Sequence, residues 1–97
     1  MIVCISNFTR ELGDGDESLL SEHHAFMDEQ YRHGALVASG PRMPRTGGVI
    51  VARGVDVTQV ERLLSEEPLA RAGIAAYEVI PFTATRAASV ELLDVGT

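Results

Sequence analysis

Blocks of apolar residues alternate with polar segments along the chain, and the period within each block predicts an element. Two longer runs, at residues 2–8 and 74–82, are rich in β-branched and apolar side chains and predict strands. Two shorter runs, at 35–39 and 49–52, predict strands as well. Pro81 near the end of the last run indicates an edge strand or a bulge, because proline cannot donate to a ladder.

Two other segments have the spacing of amphipathic helices. Apolar residues in 17–33 recur at helical intervals, and Gly34 follows where a left-handed C-cap residue is expected. The second helix begins at a variant capping box formed by Asp56 and Gln59. It ends shortly before Pro68, which disfavours helical geometry in the preceding residue.

The predicted order is βαββαβ, with a further short helical turn at residues 69–73 and turn-rich connections at 9–16 and 40–48. This order predicts an α+β fold of the ferredoxin-like kind, with both helices on one face of a four-stranded antiparallel sheet. The domain takes up residues 1–86. For the tail at 87–97 two interpretations remain open, a contribution to a subunit interface and a disordered end.

Both faces of the predicted sheet are apolar. Two helices cover only one face, so the other face is expected to pack against the sheet of a second copy, in a homodimer or a larger oligomer. The strand residues that place apolar side chains at both parities are Val3, Ile5, Val37, Val49, Val51, Val79 and Ile80.

Charge and composition narrow the partners. The 97 residues carry a net charge of −6, and the eight basic residues, all arginine, are scattered along the chain. A basic stripe for a phosphate backbone is therefore lacking, and nucleic acid is not an expected partner. The apolar runs are shorter than the roughly 20 residues that cross a bilayer, so a membrane is not expected either. The one cysteine, Cys4, fits a reducing cytosol.

All three histidines lie in the predicted first helix, in the segment SEHHAFMDEQYRHG at 21–34. At about 100° per residue, His23 falls in the middle of the apolar stripe, whereas His24 and His33 fall on its two edges. A buried imidazole needs hydrogen-bond partners. Two interpretations of His23 remain open, a satisfied core residue and a proton-transfer group that lines a cavity.

The spacing does not favour a metal site or a cofactor. His23 and His24 diverge by about 100° around the helix axis, and a third ligand beside His24 and Asp28 is not evident. The pair Gly47-Gly48 precedes a strand, so it does not present a helix N-terminus to a phosphate. We therefore expect neither a bound metal nor a cofactor.

The runs EHHAFMDEQYRHGALVASGPRMPRTGGVIVA and SEEPLARAGIAAYEVIPFTATR resemble the YCII-related family of small bacterial proteins. The resemblance covers residues 1–86. Its most specific parts are a histidine early in the first helix, the following G-x-L-x-x-S-G-P, and a late block with an acid before proline, a glycine and a closing Pro-Phe.

The resemblance implies a ferredoxin-like subunit that pairs sheet to sheet into a dimeric α+β barrel. It also implies a candidate active site made of a histidine and an acid, which carry over to His23 and Glu67. The chain departs from the family pattern because Glu67-Pro68 stands where Asp-Pro is usual, and Leu69 replaces the usual aromatic. Some relatives are lyases acting on hydroxylated, halogenated aromatics, and the wider barrel group includes isomerases and oxygenases.

Two functions follow from these expectations. In the first, the chain is a lyase- or isomerase-type enzyme without a cofactor, in which His23 moves a proton and Glu67 orients it. An oxygen-rich substrate would bind at Ser39, Gly40, Pro41 and Arg45. In the second, the chain is a non-catalytic dimer that binds a small molecule or another protein. Haem binding or cofactor-free oxygenation is suggested by the barrel architecture alone.

Overall fold

The structure, a computed structural model, describes residues 1–94. Its strands and helices follow the predicted order: β1 (Ile2–Phe8), α1 (Glu17–Arg32), β2 (Leu36–Pro41), β3 (Gly48–Ala52), α2 (Val57–Glu66), α3 (Pro68–Arg71) and β4 (Ala75–Pro81). Short 3-10 turns lie at Asp14–Asp16 and Val90–Leu92. The fold is the predicted ferredoxin-like α+β fold.

The ends of both long helices have the chemistry that the sequence predicts. Gly34 has a φ of 77°, the left-handed conformation that lets the chain leave α1. At the start of α2, the Asp56 carboxylate accepts from the backbone N–H of Gln59 at 2.8 Å, and the Gln59 side chain accepts from the backbone N–H of Asp56. This reciprocal capping box fixes where α2 begins.

The sheet is antiparallel with strand order β2-β3-β1-β4. β1 is central, and β4 is an edge strand, which explains how Pro81 is tolerated at its end. The connection between β2 and β3 is shorter than predicted. Gly40 and Pro41 were expected in a turn, but they pair with Val49 and Gly48 and extend β2.

One face of the sheet packs against the helices. The main core cluster joins β1, β2 and β3 to α1 and α2, and its buried members are Ile2, Cys4, Met27, Leu36, Ile50, Ala52, Val60 and Leu64. A second, smaller cluster consists of Leu69, Ile74 and Ala75. Tyr77 packs against both clusters, so it lies at the junction of α3, β4 and the main core.

The opposite face of the sheet, here called the open face, is apolar and only partly covered. In β1 the residues alternate between buried and half-buried, which places Val3 and Ile5 on the open face. Val51 and Val49 lie beside them in register, and Ile80 pairs with Val3 from the other side. Ile80 is 40% exposed. The single chain therefore leaves a continuous apolar strip unpacked.

The segment after β4 folds back along the domain. The Asp94 carboxylate lies 3.0 Å from the Met1 amino group and also accepts from the Ala84 backbone N–H. Arg53 donates to the backbone carbonyl of Glu91 at 3.0 Å. The predicted tail at 87–97 is thus anchored as far as Asp94, and its last three residues lie outside the described part. Within residues 1–94 the helices are too short or too polar to cross a membrane.

Candidate active site

Glu67 is held at a junction in the backbone. It follows the last residue of α2 and is the N-cap of α3, with Pro68 at the first helical position. Its backbone is extended, with φ −64° and ψ 129°, the conformation that a following proline favours. The side chain therefore turns back over the start of α3, where the unpaired N–H groups of a helix are found.

The Glu67 carboxylate is fully buried and accepts from both backbone and side chains. Oε1 accepts from the N–H of Leu69 at 3.0 Å, and Oε2 accepts from the N–H of Ala70 at 3.2 Å. The Tyr77 hydroxyl donates to Oε2 at 3.1 Å. These three donors fix the plane and the position of the carboxylate.

His23 supplies the fourth contact. Its Nδ1 lies 2.5 Å from Glu67 Oε1, although the two residues are 44 positions apart in the chain. α1 presents the imidazole from the stripe that faces the sheet, as the helical periodicity predicts. Because an ionised carboxylate only accepts hydrogen bonds, Nδ1 carries the proton in this contact.

The other ring nitrogen of His23 is open to solvent. Within residues 1–94, Nε2 makes no hydrogen bond to another protein group, and that part of the chain contains no buried side-chain nitrogen or oxygen without a partner. Nε2 must therefore be accessible, which agrees with the 20% exposure of the His23 side chain. A histidine whose Nδ1–H donates to a carboxylate and whose Nε2 is accessible can act as a general base through Nε2.

The protonation of the surrounding groups favours this arrangement. Burial raises the pKa of Glu67, but hydrogen bonds from His23, Leu69 and Tyr77 outweigh it and hold the pKa below its ordinary value. Burial, together with the nearby Glu67 carboxylate, raises the pKa of Tyr77 well above its ordinary range. At neutral pH the site therefore has an ionised Glu67 and a protonated Tyr77 that donates to it.

The remaining predicted site residues belong to β2 and to the loop that follows it. Ser39, Gly40 and Pro41 are exposed on β2, and Arg45 is exposed in the loop before β3. The Ser39 hydroxyl hydrogen-bonds to the Tyr31 hydroxyl at 2.7 Å. In the described part of the chain none of the four is hydrogen-bonded to His23 or Glu67. Their role in substrate binding stays a prediction.

The other two histidines have surface positions. His24 is exposed, with its ring centroid 5.4 Å from that of His23. His33 is exposed and lies 3.1 Å from Glu29. Across residues 1–94, no group of three or more histidine, cysteine, aspartate or glutamate side chains is placed to hold a metal ion.

Sequence reasoning missed Tyr77 and Ser6. Tyr77 stands opposite Ser6 in the β1–β4 register, and Ser6 is 1% exposed. The Ser6 hydroxyl accepts from the backbone N–H of Gly48 at 2.8 Å. The available signal is that Ser6 and Tyr77 lie on the sides of β1 and β4 that face the core, where the other side chains are apolar. A polar side chain at such a position needs a hydrogen-bond partner.

The fold and this arrangement define a class of protein, a ferredoxin-like domain in which a partly exposed histidine on the first helix contacts a buried carboxylate. Residues 1–83 match the YCII-related domain family. The chain therefore belongs to that family. A search among curated proteins finds no match.

Solved structures share the fold. One of them is the 5-chloro-2-hydroxyhydroquinone dehydrochlorinase TftG from Burkholderia phenoliruptrix AC1100, in complex with 2,5-dihydroxybenzoquinone. The match has a TM-score of 0.60 and 15% sequence identity, and it covers 87% of this chain and 95% of that one. At this identity the likeness is one of fold.

Proposed function

We propose that the chain is a proton-transfer enzyme of the lyase or isomerase type that acts on a small hydroxylated aromatic compound. The observation that carries the proposal is the pair itself, with Glu67 fully buried on four donors, His23 Nδ1 2.5 Å from its Oε1, and Nε2 open to solvent. Family membership and the fold shared with a dehydrochlorinase support the choice of substrate class.

In the proposed reaction Nε2 of His23 takes a proton from an acidic hydroxyl of the substrate. The electron pair left on that oxygen moves into the ring, and the imidazolium returns the proton to a ring carbon, which gives a keto tautomer. In an isomerase this tautomer is the product. In a lyase a second hydroxyl then loses its proton to His23 as the leaving group departs from that carbon as an anion, so that one acid molecule is lost overall. The adjacent Glu67 carboxylate stabilises the imidazolium that forms, and the bond to Nδ1 keeps Nε2 directed outwards. No cofactor is needed for these steps.

We further propose that the working form is a homodimer in which two open faces pack together. The support is the apolar strip of Val3, Ile5, Val49, Val51 and Ile80, which the helices of its own chain do not cover. Pairing of two sheets would remove this strip from water. The reducing cytosol is the proposed location, because Cys4 is a buried free thiol.

The alternative is a non-catalytic dimer that binds a small molecule. One observation favours it: neither His23 nor Glu67 lines the small internal cavity of about 20 Å³ beneath α2 or the open groove of about 550 Å³ beside the C-terminal segment. In this version His23 is a core residue whose polar atom is satisfied by Glu67.

Chloride release from 5-chloro-2-hydroxyhydroquinone separates the two functions. We expect the wild type to accelerate release and His23→Ala to lose roughly 10²–10⁴-fold in rate, the usual contribution of a positioned base. His33→Ala is the matched control, since it removes an exposed histidine of the same helix. Equal rates for wild type and His23→Ala across a panel of hydroxylated aromatics would exclude His23 as the base and favour the non-catalytic dimer that binds a small molecule.

A further inference from the structure

The acceptor capacity of Glu67 is completely used. Each carboxylate oxygen has two lone-pair positions, and each receives two donors. Oε1 is shared by His23 and the Leu69 N–H, and Oε2 is shared by the Ala70 N–H and the Tyr77 hydroxyl. Among the described residues, Tyr77 is therefore the only side chain that balances His23 on the other oxygen.

Removing the Tyr77 hydroxyl would leave Oε2 of the fully buried Glu67 carboxylate with a single donor. An ionised carboxylate in such a site is stabilised by the hydrogen bonds it accepts, and each lost donor favours the protonated acid. A protonated Glu67 would present an O–H and would no longer accept reliably from Nδ1 of His23. The terminal torsion of a glutamate is also broad, so an unbalanced carboxylate can rotate away from His23.

Tyr77 suits this task because it remains a neutral donor. It stands on β4, a strand of the sheet, and is partly buried against both core clusters, which restrict the position of its ring. Burial and the neighbouring Glu67 charge raise the pKa of Tyr77, and the phenol keeps its proton throughout the neutral range. A lysine or arginine at this position would instead neutralise Glu67 and compete with His23.

We propose that Tyr77 is a positioning residue that supplies the second donor to Glu67 Oε2 and so holds Oε1 towards His23. The inference rests on the proposed function, in which His23 is the base, and it assigns to this chain a third member of the site. Tyr77 does not touch the reacting atoms; it acts through Glu67.

The titratable groups that surround the pair come from three elements. His24 of α1 contacts the His23 ring, Tyr77 of β4 donates to Glu67, and Cys4 of β1 lies behind Tyr77, with its own pKa raised by burial. The other charged side chains adjacent in sequence to the pair are exposed to solvent: Glu22, Glu66 and Arg71.

The test compares Tyr77→Phe with the wild type by NMR, using ¹³C-carboxyl-labelled glutamate and ¹⁵N-labelled histidine. We expect Glu67 to bind its proton about tenfold more tightly in Tyr77→Phe, the equivalent of one hydrogen bond to a charged acceptor. Because protonation of Glu67 weakens its contact with Nδ1, the His23 Nδ1–H signal should change together with the Glu67 carboxyl signal. Tyr31→Phe removes the other tyrosine hydroxyl of the chain and is the matched control, with both titrations unchanged.

A second variant keeps the donor. Incorporation of 3-fluorotyrosine into Tyr31→Phe protein places a stronger donor at position 77 alone, and Glu67 should then bind its proton more weakly than in the wild type. This arm also decides the question if Tyr77→Phe does not fold. A Tyr77→Phe protein that loses stability while both titrations stay at their wild-type values would show that Tyr77 only fills space, and would overturn the inference.

The inference and the proposed function fail in different experiments. The titrations need no substrate, so they report on Tyr77 even if His23→Ala releases chloride as fast as the wild type. Conversely, unchanged titrations in Tyr77→Phe would leave the role of His23 as a base to be judged by chloride release alone.

Discussion

Glu67→Gln is the most informative perturbation of the site, because it removes one charge and keeps the shape of the side chain. The carboxylate accepts from four donors, two on each oxygen. A glutamine has one carbonyl oxygen and one NH₂ group, so two of those four donors would face another donor. Leaving a buried donor without an acceptor costs about 1–3 kcal/mol, and two such losses predict a destabilisation of about 2–6 kcal/mol.

Urea unfolding measures this effect. A small domain has an m-value of about 1–3 kcal/mol per molar urea, so a loss of ~3 kcal/mol should lower the unfolding midpoint by about 1–3 M with m unchanged. Glu66→Gln is the matched control, because the neighbouring glutamate is exposed and undergoes the same chemical change. Exposed substitutions of this kind usually stay within about 0.5 kcal/mol.

A free energy of unfolding of Glu67→Gln within about 0.5 kcal/mol of the wild-type value would refute the predicted destabilisation. That result would mean that the four donors do not depend on a charged acceptor, and the electrostatic argument for His23 would lose its basis.

Three further predictions concern the ionisation of Glu67, the length of its side chain and the open face of the sheet. Because the folded protein holds the pKa of Glu67 below its ordinary value, the ionised carboxylate stabilises the fold above the unfolded pKa, and this stabilisation is lost as pH falls through the folded pKa. The difference in unfolding free energy between wild type and Glu67→Gln should therefore narrow below about pH 4. A difference that stays constant down to pH 2 would contradict this prediction. Glu67→Asp keeps the charge but withdraws the carboxylate by about 1.5 Å. The hydrogen bonds from the backbone N–H groups at the start of α3 should remain, whereas ¹⁵N spectra should show that His23 Nδ1 has lost its acceptor. An unchanged His23 signal would show that the shorter acid reaches His23 equally well. Val51→Asp places a charge on the open face and should convert the dimer into a monomer. Light scattering would then report the chain mass of 10.4 kDa instead of twice that mass, whereas Thr58→Asp, at an exposed position of α2, should leave the mass unchanged. A wild type that is already monomeric would refute the dimer.

The sequence could locate His23 because helical periodicity is a local property. The apolar stripe of Leu19, Leu20, Phe26, Met27 and Tyr31 predicts which side of the helix faces the sheet, and an imidazole within that stripe can be recognised from the sequence alone. Glu67 could not be found in this way. Its contact with His23 spans 44 positions and depends on how α3 turns over the core, so only the resemblance to a family pointed to it.

The extent of β2 and the contact of Tyr77 differ from what the sequence predicts or reveals, and both differences have physical causes. The tripeptide Ser39-Gly40-Pro41 has the composition of a turn, but pairing with β3 extends the strand through Pro41, because an edge strand tolerates a missing N–H donor. Tyr77 lies in the predicted last strand, at 74–82, and was not singled out from the sequence. Its parity places it on the face that packs against the helices, where a phenol hydroxyl requires an acceptor, and the nearest acceptor is Glu67.

The central claim, that His23 is the contact point for a small molecule, is tested most directly by one titration. ¹⁵N-histidine-labelled protein contains three imidazoles, and 2,5-dihydroxybenzoquinone serves as the probe. We expect a saturable shift of the His23 Nε2 signal while Nδ1 stays protonated and bonded to Glu67, with His24 and His33 changing little. A saturating ligand that leaves His23 unshifted, or that shifts only the two exposed histidines, would contradict it.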